Sequence, residues 1–256
     1  MPVDGAGSPD PVLATLCPSD GTEPTVVEMT YESLDDDFEQ RLIVILPCNF
    51  RPNKFYDAIV LVHGSGSWES QSDRWIPYGI ELATMGYVAV YPESRNGRYR
   101  VGATDLLSAI LWVESHVDVR IDDVGVVAGS FGNMAGLDLV ERYPDAVQAY
   151  VDLYGVLDPG EPYFHLNEER IASIQAPVLM QAGSRDPHKC AMIRALDLAI
   201  EEYNPSIPNC RLVYPGSTHG FFFRNSDPQS LRARAHQIAF FDTVLRGAPR
   251  PGGVCY

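Results

Sequence analysis

The chain has 256 residues, 45% of them hydrophobic, and a formal net charge of −15; its sequence pI is about 4.7. That is enough apolar material for one large core, while so acidic a surface repels phosphate backbones and argues against nucleic acid or an anionic membrane as partner. No run of 18 or more apolar residues is present, so no membrane span is expected.

Residues 1–25 contain Pro, Asp and Gly without an early basic cluster or apolar stretch, and are expected to form an irregular leader rather than a secretory signal. Residues 26–256 are expected to form one α/β domain. Residues 25–31 and 41–47 read as two strands joined across Asp35, Asp36 and Asp37, hence an antiparallel hairpin. Residues 58–62 are continuously apolar, as a central parallel strand requires, and end in His63-Gly-Ser-Gly66. A helix is expected near 75–85, with Gly86 at its end. Residues 87–91 form the next strand, and 101–116 a helix with apolar spacing at Leu106, Leu107, Ile110, Leu111 and Val113. After a strand through Val124 to Val127, helices are expected at 133–142, 190–203 and 230–246, and strands at 149–155, 177–183 and 211–214. Residues 156–170, rich in Pro and Gly, form a small lid or none. Strands alternating with helices at this rhythm imply a mostly parallel sheet with helices on both faces. Ligands of such sheets bind beyond the carboxyl ends of the strands.

Four segments fall at those ends. In the first, Ala128-Gly-Ser130-Phe-Gly132 follows a β-branched strand and precedes a helix. Small residues crowd Ser130 because a nucleophile on a tight strand-to-helix turn has a strained backbone, and bulk two residues away on either side would collide. The plainer reading is a serine in a glycine-rich turn. The others are the His63 turn, Ser184-Arg-Asp186 and Pro215-Gly-Ser-Thr-His219-Gly. A serine hydroxyl is a poor nucleophile until a base stands within hydrogen-bond reach and a third group fixes the tautomer of that base. His219 is the base expected here and Asp186 its orienting acid. Asp186 before Pro187 is also a good helix cap. Asp158 is the alternative acid, and His188 a competitor for Asp186. His116, His165 and His236 fall on helix or lid segments.

Together His63-Gly-Ser-Gly, Ala128-Gly-Ser-Phe-Gly, Ala182-Gly-Ser-Arg-Asp186 and Tyr214-Pro-Gly-Ser-Thr-His-Gly-Phe221 resemble an α/β-hydrolase of the dienelactone hydrolase-like group. The resemblance covers residues 26–246, and its most specific part is Tyr-Pro-Gly-x-x-His-Gly-Phe. It implies an eight-stranded α/β-hydrolase sheet, a Ser or Cys nucleophile, and hydrolysis of an ester or lactone. The order Ser, Asp, His is that of α/β-hydrolases. Dienelactone hydrolases proper carry cysteine at the nucleophile elbow and a different turn after the third strand. Both departures point to a serine esterase within the wider group.

The expected oxyanion donors are the backbone N–H groups of Phe131, at a helix N-terminus, and of Ser65, among glycines. Arg95, Arg98 and Arg224 are candidates to grip a substrate carboxylate, and Arg100 lies in the same loop as the first two. Trp68 and Phe221, with Tyr163, Phe164, Phe222 and Phe223, are candidates to line an apolar pocket. No Cys-x-x-Cys pair occurs among Cys17, Cys48, Cys190, Cys210 and Cys255, so a zinc site is not expected, and nothing else in the sequence suggests a metal or organic cofactor. Their scatter suits reduced thiols and a cytoplasmic setting. The partner expected is a small-molecule ester or lactone. Competing readings are a non-catalytic receptor on the same fold, or an amidase, peptidase or acyltransferase using the same three side chains.

Overall fold

The computed structural model describes residues 23–48, 50–95, 99–116, 120–157 and 166–249. Eight strands form one sheet in the order β1-β2-β4-β3-β5-β6-β7-β8. They are β1 Thr25–Glu32, β2 Glu39–Leu46, β3 Phe55–Val62, β4 Val88–Pro92, β5 Arg120–Gly129, β6 Ala149–Leu153, β7 Val178–Gly183 and β8 Asn209–Tyr214. β1 pairs antiparallel with β2, and β2 antiparallel with β4. From β4 onward all pairing is parallel. β4, β6 and β7 are buried along their whole length, while the edge strands β1 and β8 alternate between buried and exposed positions. The sequence carries the same contrast, since central strands need apolar residues on both faces and edge strands on one.

The helices are α1 Trp68–Thr84, α2 Tyr99–His116, α3 Asn133–Arg142, α4 Glu168–Ser173, α5 Pro187–Tyr203 and α6 Pro228–Arg246. Right-handed crossovers decide their faces. The step from β3 to β4 runs one way across the sheet and carries α1 to one face. The steps from β4 to β5 and on to β8 run the other way, so α2, α3, α4 and α5 cover the opposite face. The direction of winding reverses between β3 and β5, and a crevice opens at their carboxyl ends. Val62 and Ala128 are paired at that rim.

α1 begins at Trp68, earlier than the expected 75, because the Ser67 side chain accepts from the Ser70 N–H and caps it; Pro77 is tolerated inside. α5 begins at Pro187 rather than 190, with Asp186 as its cap. α4 covers part of the segment read as a lid and is tied down on α3: Arg170 binds Asp138 at 2.6 Å and also pairs with Glu141. Residues 1–22 of the expected leader, residues 158–165 of the lid segment, and with them Asp158, Tyr163, Phe164 and His165, lie outside the described residues, as does Arg98. Cys190 is a thiol, but Cys210 is disulfide-bonded. That corrects the expectation of reduced cysteines throughout and removes its support for a cytoplasmic setting. Among the described residues no helix is long and apolar enough to cross a membrane.

On the face that α1 and α6 share, a polar series crosses the core. Tyr78 Oη donates to Gln237 Oε1 (2.7 Å), Gln237 Nε2 to Gln181 Oε1 (2.7 Å), and Gln181 Nε2 to Tyr214 Oη (2.6 Å). Tyr214 Oη lies 2.8 Å from His236 Nδ1. Gln181, at the centre, is fully buried. Gln181→Ala leaves Gln237 without an acceptor, Tyr214 without a donor and a cavity between them. It is expected to lower stability by about 2–4 kcal/mol, measured by urea unfolding.

Candidate active site

β5 ends in the elbow. Ser130 has φ 51°, in the left-handed region, and opens a single 3₁₀ turn, Ser130–Gly132, that leads into α3. The turn fits because of what its small residues face. A Cβ on Gly132 would stand 2.2 Å from the carbonyl oxygen of His63, so only glycine allows the elbow to lie against the turn after β3. Ala128 carries a methyl where the common motif has glycine. The space for it comes from Gly136 on α3, where a Cβ would lie 2.6 Å from that methyl.

Ser130 Oγ lies 3.0 Å from His219 Nε2, and His219 Nδ1 lies 2.7 Å from Asp186 Oδ2. A carboxylate oxygen only accepts, so Nδ1 carries the proton and Nε2 is left to accept from the serine hydroxyl. Asp186 also keeps its plainer role: Oδ1 accepts from the Lys189 N–H at 3.4 Å, which caps α5 while Oδ2 holds the imidazole. His219 reaches this place because Gly216 and Gly220, at φ 75° and 69°, turn the chain after β8 back over the sheet edge.

The turn after β3 is set from beneath. His63 is buried, and burial pushes its imidazole below its ordinary value. Nδ1 lies 2.8 Å from Gly64 O, so Nδ1–H donates to that carbonyl. The Gly64–Ser65 peptide is planar, with its C=O and N–H pointing opposite ways. Pinning the carbonyl toward His63 therefore turns the Ser65 N–H away from the ring. A Cβ on Gly64 would lie 3.1 Å from Ser130 Cβ and 3.7 Å from Phe131 N, so the two turns touch at the nucleophile.

A cleft of about 150 Å³ opens over Ser130 and His219. Its walls include Ser65, Gln71, Arg74, Trp75, Tyr154 and Phe223, with the Trp75 and Phe223 rings 4.8 Å apart. Several expected substrate contacts are placed elsewhere. Arg95 binds the buried Asp105 at 2.6 Å and Asp36 at 2.6 Å, which hold it against α2. Trp68 stacks on Tyr91, with ring centroids 5.4 Å apart, under the Arg41 guanidinium. Phe221 is fully buried beneath the site, against Tyr214 and Tyr154. Arg224 is exposed and donates to Thr218 Oγ1 at 2.9 Å. Sequence reading passed over Tyr154, Arg74 and Trp75. Tyr154-Gly155 follows a strand end, which is a signal of position only, and Arg74-Trp75 lie on a helix face that cannot be told from core by spacing. A larger groove, about 560 Å³, lies near Tyr31 and Trp112, away from these groups.

A sequence model of the dienelactone hydrolase family matches residues 96–245. The chain belongs to the dienelactone hydrolase family. The match takes in Ser130, Asp186 and His219 and begins after the His63 turn. Among curated proteins, the chain is 25% identical over 242 residues to dipeptidyl aminopeptidase BIII of Pseudoxanthomonas mexicana, covering 76% of this chain and 34% of that one. It is 27% identical over 147 residues to a probable 2-oxo-3-(5-oxofuran-2-ylidene)propanoate lactonase of a Bradyrhizobium species, covering 55% and 56%. The chain thus spans about a third and a little over half of the length of these relatives. The crystal structure of dienelactone hydrolase from Anabaena variabilis superposes with a TM-score of 0.68 at 19% identity, covering 87% of this chain and 99% of that one. The fold is that of the α/β-hydrolases.

Behind the elbow of this family member sits Asp152, fully buried on β6. Oδ1 accepts from the Gly155 N–H at 2.6 Å, and Oδ2 has no hydrogen-bond partner among the described residues. Burial pushes the carboxyl up to about 7, against the lowering effects of the Gly155 N–H and of Lys189. The folded value lies above the ordinary 3.8, so the native state holds this proton more tightly than the unfolded chain does. Stability that is intact below pH about 4 is then lost as pH rises through about 7. Asp152→Asn keeps an acceptor for Gly155 and removes the titration. The variant is expected to be more stable than the parent at pH 8 and little different at pH 4. The gap should widen by up to about 1.4 kcal/mol per pH unit in between, read from urea unfolding across pH.

Proposed function

We propose that this chain is a serine hydrolase that cleaves a small or medium carboxylic ester or lactone through an acyl-enzyme on Ser130. The observation that carries this is the series from Ser130 Oγ to His219 Nε2 (3.0 Å) and from His219 Nδ1 to Asp186 Oδ2 (2.7 Å). His219 takes the serine proton as Oγ attacks the carbonyl, then returns it to the leaving alcohol. Water repeats the sequence and releases the acid, while Asp186 keeps the imidazole in the tautomer that can accept. The Phe131 and Ser65 N–H groups stabilise the developing oxyanion, a reading supported by the way His63 orients the 64–65 peptide. Amide hydrolysis would use the same groups. The cation Arg74 in the cleft wall favours the ester reading over an aminopeptidase, because it would repel a substrate ammonium.

Ser130→Ala is expected to lose p-nitrophenyl acetate hydrolysis by about 10³-fold or more while staying folded. The parent should be labelled at Ser130 by a fluorophosphonate; an unlabelled parent would point to a receptor on this fold. Arg74 makes no ion pair or hydrogen bond with a described residue and is placed to attract a substrate carboxylate. Between p-nitrophenyl hemisuccinate and p-nitrophenyl butyrate, the parent's preference for the anionic ester should drop about tenfold in Arg74→Ala, measured as the ratio of kcat/KM values.

A further inference from the structure

Tyr154 lies outside the Ser130–His219–Asp186 series, yet the chain adopts a strained conformation to place it. Its φ is 44°, in the left-handed region, which costs a non-glycine residue about 1 kcal/mol or more. Three backbone hydrogen bonds hold it there. Tyr154 N–H donates to Gln181 O (2.6 Å), Gly155 N–H to Asp152 Oδ1 (2.6 Å) and Val156 N–H to the carbonyl of Ser130 itself (2.9 Å). The ring, 3% exposed, is set edge-on against the His219 imidazole, with centroids 4.8 Å apart.

The hydroxyl is the unusual part. The other buried tyrosines with described side chains all engage theirs. Tyr31 donates to Glu93 O, Tyr78 to Gln237, Tyr87 to Asp242, Tyr91 to Trp68 O and Tyr150 to Asn133; Tyr214 meets His236, and Tyr56 accepts from Arg51 N–H. The Tyr154 hydroxyl has no partner among the described residues, and Tyr154 is among the residues that line the cleft over Ser130. The hydroxyl is not among the buried side-chain atoms sealed from solvent, so an acceptor on a bound substrate can reach it.

We propose that Tyr154 is a substrate-contacting residue: its hydroxyl donates to an oxygen of the bound ester other than the scissile carbonyl oxygen, so the site selects substrates that carry such an acceptor in the acyl or alcohol part. This rests on the hydrolase reading above. Burial holds the phenol above its ordinary range, so it stays protonated and donates. Resting against the imidazole, it stands beside the group that hands a proton to the leaving alcohol.

Tyr154→Phe keeps the ring against His219 and removes only the donor. The test uses two isosteric pairs: p-nitrophenyl methoxyacetate against p-nitrophenyl butyrate for the acyl side, and 2-methoxyethyl butyrate against butyl butyrate for the alcohol side. Dividing the parent's ratio of kcat/KM values by the variant's cancels the intrinsic reactivity of each ester. In at least one pair the preference for the oxygen-bearing ester is expected to drop about fivefold or more in the variant. Unchanged ratios in both pairs, with the parent labelled at Ser130 by a fluorophosphonate, overturn this inference alone. A parent that is not labelled removes the hydrolase reading and this inference with it.

Discussion

The closest approach in the site is between two backbones, at Gly132 and the His63 carbonyl, where any Cβ would stand 2.2 Å from the oxygen. It joins the turn after β3 to the turn after β5, and most of the proposed chemistry depends on it. The nucleophile, the N–H that follows it and the Ser65 peptide come from segments more than 60 residues apart; the pairing of β3 with β5 brings those segments together and this contact lets their turns close on one point. The reversal of winding between β3 and β5 supplies the crevice. The missing side chain at residue 132 lets the two turns close over it. His63 then fixes the remaining freedom, the sense of the 64–65 peptide, at the expense of burying an imidazole, which pushes its pKa below the ordinary value.

The other half of the site economises in a different way. Asp186 divides its two oxygens between the N-cap of α5 and the imidazole of His219. The helix that follows therefore stiffens the acid, and the acid fixes the ring. Its placement depends on β7 and on the start of α5, both rigid elements, rather than on a mobile loop. His219 has no such helix behind it. It hangs on a glycine-flanked turn, and the edge of Tyr154 is the surface against which its ring lies.

Much of this was legible in the amino-acid order. The continuous apolar runs at 58–62 and 87–91 marked central strands because a two-sided burial leaves no room for alternation, and Ser130, Asp186 and His219 stood out because each follows a strand end. What was not legible came from side-chain packing. Arg95 looked available in a loop until the buried Asp105 drew it in. Trp68 and Phe221 read as pocket aromatics, but one stacks under a guanidinium and the other is core. Tyr154 gave no signal, since nothing in Asp152-Leu-Tyr154-Gly155 announces a positive φ at the tyrosine rather than at the glycine. The helix start at 68 was missed because capping by Ser67 extends the helix ahead of its first periodic apolar residue, whereas Asp186 before Pro187 did signal a cap, and the helix there starts at 187 rather than 190.

The polar series that runs from Tyr78 through Gln237 and Gln181 to Tyr214 has a bearing on how the cleft can breathe. Tyr78 lies one turn beyond Arg74 and Trp75, which form a wall of the cleft, and Tyr214 ends the strand from which the His219 turn departs. A strut of hydrogen bonds, sealed from water, thus braces the α1 wall against the floor that carries the histidine. Widening the mouth by swinging α1 outward would snap the strut in the driest part of the molecule. The shape of the cleft beside α1 is therefore fixed by the core as much as by the residues that line it.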